Sequence, residues 1–549
     1  SLGLVGSEMC IRDSPTGAQK QLEAVRSGYA SEAPCLDLGA ALDESGAHAD
    51  APVRVPLATL NRHGLVAGAT GTGKTKTLQA LAEQLSAQGV PVFLTDVKGD
   101  LSGTPQPGED TPRGAERARS VGQTWAPTAS PTEFYSLGGQ GPGVPVRATV
   151  TSFGPTLLAK VLGLNATQES SLSLVFHYAD SNGLALLDLK DLREVVVHLT
   201  SPEGKEELAG IGGLSKQTAG VILRELTTFA NEGADVFFGE PEFNTAELLR
   251  TTEDGRGVVS CLELAAVQQQ PRVFSTFLMW LLADLFQDLP EVGDAEKPKL
   301  VFFFDEAHLL FEDASKEFLD SIEQTVRLIR SKGVGIFFVT QSPKDIPTDV
   351  LAQLGNRVQH ALRAFTPDDA KALKAAARTY PRSEYDLEQL LTQLATGEAV
   401  VTVLSETGAP TPVAWTRMQA PQSLMKPAPV ADVEAAVSAS PLMGTYGQPV
   451  DRESAYELLR ARLDGPQGHA GAAEDHSVEH PDEPRERRDE EPDERRRQEE
   501  GQPRTRQDEG GFLGSVMDNP AVRSMMRSAG TTLGREITRS LFGTSRRRR

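Results

Sequence analysis

The sequence predicts an α/β fold with a mainly parallel sheet that is covered by helices. Between His63 and about Met418, strand-like apolar runs alternate with segments of helical periodicity, which is typical of parallel strands joined by helical crossovers. Several of the runs are continuously apolar, which favours strands that are buried on both faces. The 549 residues are enough for more than one packed unit.

The predicted elements begin with the strand "HGLVAG", a glycine-rich turn and the helix "KTKTLQALAEQLSAQG", which ends at Gly89. The stretch from Ser102 to Val144 is rich in Gly, Pro and Thr, so we expect a long surface excursion there. The other predicted strands, in chain order, are "VPVFLTD", "VPVRATV", "GVVSCLEL", "KPKLVFFFD", "KGVGIFFVTQ", "RVQHALRAF" and "GEAVVTVL".

Two helical segments complete the predicted core. Residues from roughly Gly154 to Glu232 carry heptad-like apolar spacing, which predicts an α-helical subdomain inserted into the sheet. The most apolar helical stretch, Val273 to Phe286, is shorter than the roughly 20 residues that span a bilayer. We therefore expect a core helix there and no integral membrane association.

The ends of the chain differ in composition from its centre. Ser1 to Ser14 lacks an initiating Met and resembles a translated adapter, so it is set aside as a non-native leader. Residues from about Asp464 to Gly510 are charged and nearly free of apolar side chains, which predicts disorder. The predicted division is 1–14, leader; 15–50, N-terminal segment; 51–153, first part of the α/β core; 154–235, helical insertion; 236–420, second part of the core; 421–510, Pro-rich linker with a short helix and then the disordered charged region; and 511–549, a basic amphipathic helix.

Charge and cysteine content restrict the classes of function. The formal net charge of −21 argues against a protein that coats nucleic acid over its whole surface, although a local basic channel remains compatible with it. The three cysteines are widely spaced and none belongs to a CxxC, so the sequence predicts neither a disulfide framework nor a zinc site. Because such cysteine usage is typical of a reducing compartment, we expect a cytoplasmic location. The basic C-terminal helix is expected to dock on its own domain or a neighbouring subunit. The alternative is a nucleic-acid or anionic-membrane contact made by Arg546 to Arg549.

The turn "GATGTGKT" matches the phosphate-binding pattern GxxxxGK[ST], known as Walker A, and lies between a predicted strand and a predicted helix. Its glycines allow backbone N–H groups to converge on phosphate oxygens, and the following helix directs its positive end to the same point. Lys74 is expected to reach the β- and γ-phosphates, and the Thr75 hydroxyl to bind Mg²⁺. The predicted nucleotide-binding residues are Gly68, Ala69, Thr70, Gly71, Thr72, Gly73, Lys74, Thr75 and Lys76.

The segment "LVFFFDEAH" supplies the acidic groups that such a site needs, in the pattern known as Walker B. Asp305 follows a buried strand, where ligands of open α/β sheets bind, and is predicted to hold Mg²⁺ together with Thr75. Glu306 is predicted to polarise the attacking water, and Gln341, at the end of "GVGIFFVTQ", to sense the γ-phosphate. The alternatives are an acidic pair that caps a strand and an ordinary amide at a strand end.

The strand "VPVFLTD" falls between the Walker A and Walker B strands, and the glutamate adjoins the Walker B aspartate, as in the RecA-like branch of P-loop ATPases. No NKxD is present to select guanine, so ATP is the predicted nucleotide. The candidates for an arginine that neutralises developing charge are Arg330, Arg357 and Arg363. At the end of the second strand, either a role near phosphate or a role in a turn is open for Asp96, Lys98 and Asp100.

Three segments, "NRHGLVAGATGTGKTKTLQALAEQLSAQGVPVFLTDVKGDLSG", "FFFDEAHLLF" and "GVGIFFVTQSPKDIP", together resemble the bacterial HerA-like ATPases of the HerA–FtsK superfamily, within them the YjgR-type subgroup. The resemblance covers roughly residues 50 to 420 and part of the C-terminal tail. It implies a RecA-like (ASCE) fold, a homo-oligomeric ring that is often a hexamer, and ATP-driven movement on double-stranded DNA. It assigns the Walker lysine and threonine to Lys74 and Thr75, the Walker B pair to Asp305 and Glu306, the sensor to Gln341, and the arginine finger to Arg330 or Arg363.

The sequence also departs from related motors. Fewer than about 50 credible residues precede the Walker A strand, too few for the N-terminal β-barrel of archetypal HerA. The sequence also lacks the paired membrane helices of a coupling protein and the QxxGRxxR of two-domain DEAH helicases. A DNA-translocating motor is the first hypothesis. An ATP-dependent switch or assembly platform for protein partners, favoured by the net acidity, is the second, and a nucleotide-binding protein with little turnover is the third.

Overall fold

The computed structural model describes residues 17–463, apart from residues 209, 211, 294, 313 and 315. The predicted leader, charged disordered region and basic C-terminal helix lie outside the described residues. Within them, the chain forms a twelve-stranded sheet with helices packed on it. The predicted α/β class is therefore confirmed.

The strands of the described residues are β1 (Cys35–Asp43), β2 (Gly46–Pro56), β3 (Gly64–Ala67), β4 (Val92–Asp96), β5 (Thr132–Leu137), β6 (Val144–Val146), β7 (Val259–Glu263), β8 (Leu300–Phe304), β9 (Val334–Thr340), β10 (Asn356–Gln359), β11 (Glu398–Thr402) and β12 (Ala414–Met418). The α-helices are α1 (Gly17–Gly28), α2 (Lys74–Ala87), α3 (Pro112–Ser120), α4 (Val150–Phe153), α5 (Pro155–Val161), α6 (Ala166–Ser181), α7 (Leu189–Thr200), α8 (Pro202–Glu207), α9 (Lys216–Asn231), α10 (Pro271–Asp288), α11 (Lys316–Ile329), α12 (Thr348–Leu351), α13 (Pro367–Ala377), α14 (Leu387–Gln393), α15 (Val430–Ser438), α16 (Met443–Tyr446) and α17 (Ala455–Leu463).

The sheet order is β2-β1-β12-β11-β10-β3-β9-β8-β4-β7-β5-β6. The eight strands from β10 to β6 are mutually parallel, and β11, β12, β1 and β2 extend the sheet through antiparallel pairs. The strand that separates β3 from β8 in the sheet is β9, whereas "VPVFLTD", which forms β4, lies on the far side of β8. An apolar run predicts that a strand exists but carries no information on its neighbours.

Alternate side chains of the central strands enter two separate cores, which shows that both faces of the sheet are covered. In β8, Val301 and Phe303 belong to the core that contains α2, while Phe302 and Phe304 belong to the core that contains α10. All of these side chains are buried. Burial on both faces explains why the run "LVFFF" is apolar without alternation.

The helical predictions agree with the structure. Five helices, α5 to α9, occupy the predicted inserted block, and the apolar stretch from Val273 to Phe286 forms the buried part of α10. The helix α2 begins at the predicted Lys74, and Gly89 follows its end with a φ of 70°. Among the described residues, none of the helices has both the length and the apolar character needed to cross a bilayer.

The predicted surface excursion from Ser102 to Val144 is wrong in two respects. It contains β5, which pairs with β7 inside the sheet. It also contains α3, whose Arg117 donates hydrogen bonds to the carbonyl oxygens of Gly397 (2.5 Å) and Met418 (3.0 Å). Glycine- and proline-rich flanks hide the short strand "TEFYSL" from a composition-based reading, and the prediction also omits β1, β2 and β12.

The segment after β12, predicted as a linker, is packed on the phosphate-loop helix α2. Glu83 of α2 accepts hydrogen bonds from the backbone N–H groups of Gln422 (2.7 Å) and Ser423 (3.1 Å), and Gln79 donates to the Leu424 carbonyl oxygen (3.0 Å). The predicted short helix follows as α17. This proline-rich segment is therefore bound to the surface of α2 and is not a free linker.

Candidate active site

The phosphate loop occupies residues 68–73, between the end of β3 and the start of α2. Gly71 and Gly73 have φ values of 77° and 116°, in the region where residues with a Cβ atom are strained. A Cβ atom on Gly73 would lie 3.2 Å from the backbone of Gly397. No side chain caps the start of α2, so its first N–H groups are available to an anion.

Lys74 lies over this loop with its ammonium group turned inward. Its Nζ donates hydrogen bonds to the carbonyl oxygens of Gly68 (2.7 Å) and Ala69 (3.3 Å), and the residue is buried. Burial lowers the pKa of Lys74, while the carboxylates of Glu306 and Asp305 act to raise it. The structure thus brings the predicted lysine and the predicted acidic pair into one electrostatic site.

The remaining loop residues have different surroundings. The Thr72 hydroxyl donates to the Ala69 carbonyl oxygen (2.7 Å), which closes the turn. Thr75 is half-buried at the second position of α2. Lys76 donates to Gln79 Oε1 (3.1 Å), and the carboxylates of Asp100 and Asp96 oppose the burial that lowers its pKa. Its ammonium therefore lies among the acidic groups after β4.

His360, which the sequence analysis does not single out, supports the loop from below. Its Nδ1 lies 2.9 Å from the Glu398 carbonyl oxygen and must donate to it, so Nε2 accepts the Thr77 hydroxyl at 3.0 Å. Burial lowers the pKa of His360 to about 4, which keeps the ring neutral. A Cβ atom on Gly68 would lie 2.5 Å from the His360 Cβ, so the close approach requires glycine. In sequence, the histidine is hidden in the strand-like "RVQHALRAF".

Asp305 directly follows β8 at the carboxyl edge of the sheet. Its backbone N–H donates to Thr95 Oγ1 (2.9 Å), a residue of the neighbouring β4, and the carboxylate is buried. Burial, together with the negative charge of Glu306, raises the pKa of Asp305 to about 7. The positive charge of Lys98 offsets this rise only in part, so a bound cation would further stabilise the ionised carboxylate.

Glu306 combines an unusual backbone with an ion pair. Its φ and ψ are both 47°, in the left-handed region that glycine favours. Lys98 Nζ donates to Glu306 Oε1, and this pairing outweighs burial, so the pKa of Glu306 is lowered. The other oxygen, Oε2, is buried and has no hydrogen-bond partner among the described groups, with His308 Nδ1 at 3.4 Å.

A cavity of about 610 Å³ opens beside the loop. It brings the predicted sensor Gln341 and the candidate Arg363 to the phosphate loop. The residues that line it are Ala69, Thr70, His308, Gln341, Ser342, Lys344, Asp345, Leu362, Arg363, Phe365, Asp369, Ala372 and Leu373. The cavity therefore lies between the loops that leave β3, β9 and β10.

The other two arginine candidates lie at the opposite edge of the sheet. Arg330 precedes the start of β9, and Arg357 is the second residue of β10 and donates to Thr379 Oγ1 (2.8 Å). Because the strands are parallel, their amino ends are remote from the loop that follows β3. The chain's own site is thus approached by Arg363 and by neither of the others.

The three charged residues after β4 have separate roles. The Asp96 carboxylate accepts the backbone N–H groups of Lys98 (3.2 Å), Gly99 (2.7 Å) and Leu101 (2.8 Å), so it holds the turn together. Lys98 instead contacts Glu306. Asp100 Oδ1 is buried without a hydrogen-bond partner among the described groups.

Comparison with known proteins identifies the family. The model of the family "Helicase HerA-like C-terminal" matches residues 43–549, so the chain belongs to this family. This confirms the resemblance inferred from the motifs.

Among curated proteins, the DNA double-strand break repair helicase HerA of Sulfurisphaera tokodaii is 22% identical over 358 residues, 64% of this chain and 64% of the relative. A protein described as a probable helicase from Methanocaldococcus jannaschii is 33% identical over 124 residues, 22% of each chain. The chain thus spans less than two thirds of the length of each of these relatives.

Among solved structures, the unbound bacterial conjugative coupling protein TrwB is similar with a TM-score of 0.50 and 13% identity, covering 74% of this chain and 94% of that chain. TrwB in complex with the non-hydrolysable ATP analogue ADPNP gives the same TM-score and coverage at 15% identity. These similarities confirm the predicted RecA-like P-loop ATPase fold.

Proposed function

We propose that this member of the HerA-like family hydrolyses ATP and uses the energy to move on double-stranded DNA as a homo-oligomeric ring, expected to be a hexamer. The observation that carries the proposal is the convergence of Lys74, Asp305 and Glu306 at the carboxyl edge of three adjacent parallel strands. The first curated relative is named as a DNA repair helicase, and TrwB, which shares the fold, has been solved with an ATP analogue.

The residues present fit a magnesium–ATP complex. The Thr75 hydroxyl and the buried Asp305 carboxylate are oxygen ligands of the kind that Mg²⁺ prefers, and the bound ion would neutralise phosphate charge. Lys74 and the free N–H groups of α2 are proposed to bind the phosphate chain, in place of the contacts that Lys74 makes with Gly68 and Ala69. These groups orient the nucleotide without reacting.

Glu306 is proposed to be the general base. Its Oε2 has no hydrogen-bond partner among the described residues and is therefore proposed to accept a proton from the attacking water. Gln341 directly follows β9, the strand that lies between the Walker A and Walker B strands in the sheet. It is proposed to position the same water or the γ-phosphate. This assignment uses the chain's own side chains at the places where the reaction needs them.

The arginine that completes the site is proposed to come from a neighbouring copy. Arg363 lines the cavity of its own chain and so acts in cis, whereas Arg330, at the amino edge, is remote from its own site and is the candidate finger in trans. A site that needs a second copy would couple ATP hydrolysis to ring assembly.

Mixed rings test this division. Arg330→Ala and Glu306→Gln proteins should each be nearly inactive, but their mixture should regain ATPase activity, because a Glu306→Gln subunit still supplies Arg330 to an intact neighbouring site. Arg363→Ala mixed with Glu306→Gln should show no recovery. Recovery with Arg363→Ala and none with Arg330→Ala would reverse the two assignments.

The alternative function is an ATP-dependent switch or assembly platform for protein partners, which the net charge of −21 favours. ATPase rates with and without duplex DNA, combined with mass measurement of the complex, separate the two. The motor predicts ATPase stimulation by duplex DNA and a ring-sized mass. An unchanged rate with DNA would contradict the motor, and absence of hydrolysis would contradict both.

A further inference from the structure

We propose that Lys98 is a positioning residue for Glu306: it holds one carboxylate oxygen so that the other faces the water that attacks ATP. This inference rests on the function proposed above, in which Glu306 is the base. Neither the sequence motifs nor the family match assigns Lys98 a role.

The contact joins an exposed cation to a buried anion. Lys98 Nζ donates to Glu306 Oε1, and the exposed fractions of the two side chains are 46% and 6%. A buried carboxylate without a cation would be strongly unfavourable, so this pair fixes where the Glu306 side chain can lie. Lys74 does not serve this purpose, because its ammonium group donates to Gly68 and Ala69.

The turn that carries Lys98 is built to deliver its side chain to this place. β4 pairs with β8 in parallel, and Thr95 lies opposite Phe304, so the chain leaves β4 beside Asp305 and Glu306. The Asp96 carboxylate then fixes the turn through three backbone N–H groups. The lysine is thus attached to a rigid support on the neighbouring strand.

The second oxygen of Glu306 shows what the anchor leaves available. Oε2 is buried and has no hydrogen-bond partner in the part of the chain that the structure describes. His308, whose Nδ1 lies 3.4 Å away, lines the cavity beside Ala69 and Thr70. Buried carboxylate oxygens normally have partners, so one without a partner beside the cavity at the phosphate loop indicates a position for water. One anchored and one open oxygen is the arrangement expected of an oriented base.

An alternative role for Lys98 is direct contact with the phosphates. The two roles differ in what they predict for binding. A phosphate ligand contributes to nucleotide affinity, whereas a residue that orients the base contributes mainly to the chemical step.

The test compares Lys98→Met and Lys98→Arg with the matched control Lys190→Met. Lys190 is also 46% exposed and lies within 4 Å of the carboxylates of Asp188 and Glu457, but it belongs to the helical subdomain. Steady-state ATPase assays give kcat and KM, and ADPNP binding with Mg²⁺ gives Kd. We expect Lys98→Met to lower kcat about 10- to 100-fold with Kd changed by less than about twofold, and Lys98→Arg to retain most of the rate.

A double-mutant cycle with Glu306→Gln completes the test. Because the lysine acts through the glutamate, adding Lys98→Met to Glu306→Gln should cost no further rate. An unchanged or raised kcat, additive losses, or a Kd that weakens in proportion to the rate would each overturn the proposal. Absence of hydrolysis by the unaltered protein would contradict the proposed function, and with it this inference, whereas activity that ignores Lys98 contradicts the inference alone.

Discussion

Two residues other than glycine have a positive φ in the described part of the chain, His63 at 58° and Glu306 at 47°, and they lie at opposite edges of the same parallel strands. At the amino edge, His63 is fully hydrogen-bonded: its Nε2 donates to the Val326 carbonyl oxygen (2.7 Å), and its Nδ1 accepts the Ile336 N–H (3.0 Å). At the carboxyl edge, Glu306 keeps a buried oxygen, Oε2, that has no hydrogen-bond partner within the described residues.

The two residues share a strained backbone conformation but differ in whether their side-chain polar atoms are hydrogen-bonded. Such conformations cost on the order of 1–3 kcal/mol and persist only where surrounding contacts enforce them. At His63 the contacts satisfy every polar atom of the ring, so the strain supports packing between β3, β9 and α11. At Glu306 the contacts leave one reactive atom open, so the same kind of strain indicates chemistry. Changes at the two residues should therefore affect different measurements.

The largest expected effect is that of Glu306→Gln on hydrolysis. Loss of the base should lower kcat by about 10²–10⁴-fold, while ADPNP binding and thermal stability stay close to those of the unaltered protein. ATPase assays and thermal melts check this. A much lower melting temperature for the variant would show that Glu306, like His63, has a structural role.

His63→Ala should show the opposite pattern. It leaves the Ile336 N–H unpaired in the core, so we expect a loss of about 2–3 kcal/mol in the free energy of unfolding. The rate per folded molecule should stay unchanged. Denaturant unfolding measures the free energy of unfolding, and active-site titration with ADPNP gives the rate per folded molecule. A fall in that rate would contradict a purely structural role for His63.

Asp305→Asn should stabilise the nucleotide-free protein at high pH. The pKa of Asp305 is raised to about 7, so the stability present below the ordinary value of about 3.8 is lost as pH rises through 7. Replacing the carboxylate should therefore add about 2–4 kcal/mol to the free energy of unfolding at pH 8 without Mg²⁺, and little at pH 4. Equal effects at both pH values would contradict ionisation of a buried Asp305 carboxylate.

The smallest effect concerns pH at the amino edge. Burial lowers the pKa of His63 from 6.5 to about 4, so stability present above 6.5 is lost as pH falls toward 4. His63→Asn should flatten this fall by about 1 kcal/mol per pH unit. Unfolding curves between pH 4 and 7 measure the slope for both proteins, and identical slopes would exclude neutral burial of the ring.

The sequence alone determined the local chemistry. Hydrophobic periodicity predicts the succession of the central strands and helices along the chain. The spacing of a few polar residues and glycines predicts the phosphate-binding motif at 68–75 and the acidic pair Asp305 and Glu306. These signals are short in range, because a phosphate loop or a buried parallel strand is specified by consecutive residues. The family match agrees with this reading.

Contacts between distant parts of the chain become visible in the folded structure alone. In the sheet, β9 lies between the strands that carry the Walker A and Walker B residues. Lys98 contacts Glu306, which is 208 positions away in the sequence, and His360 contacts the phosphate loop. Arg330 and Arg363 lie at opposite edges of the sheet. The structure also adds β1, β2, β5 and β12, which the sequence analysis does not predict. The physical reason is that pairing between distant strands depends on packing and register, which no local stretch of the chain encodes by itself.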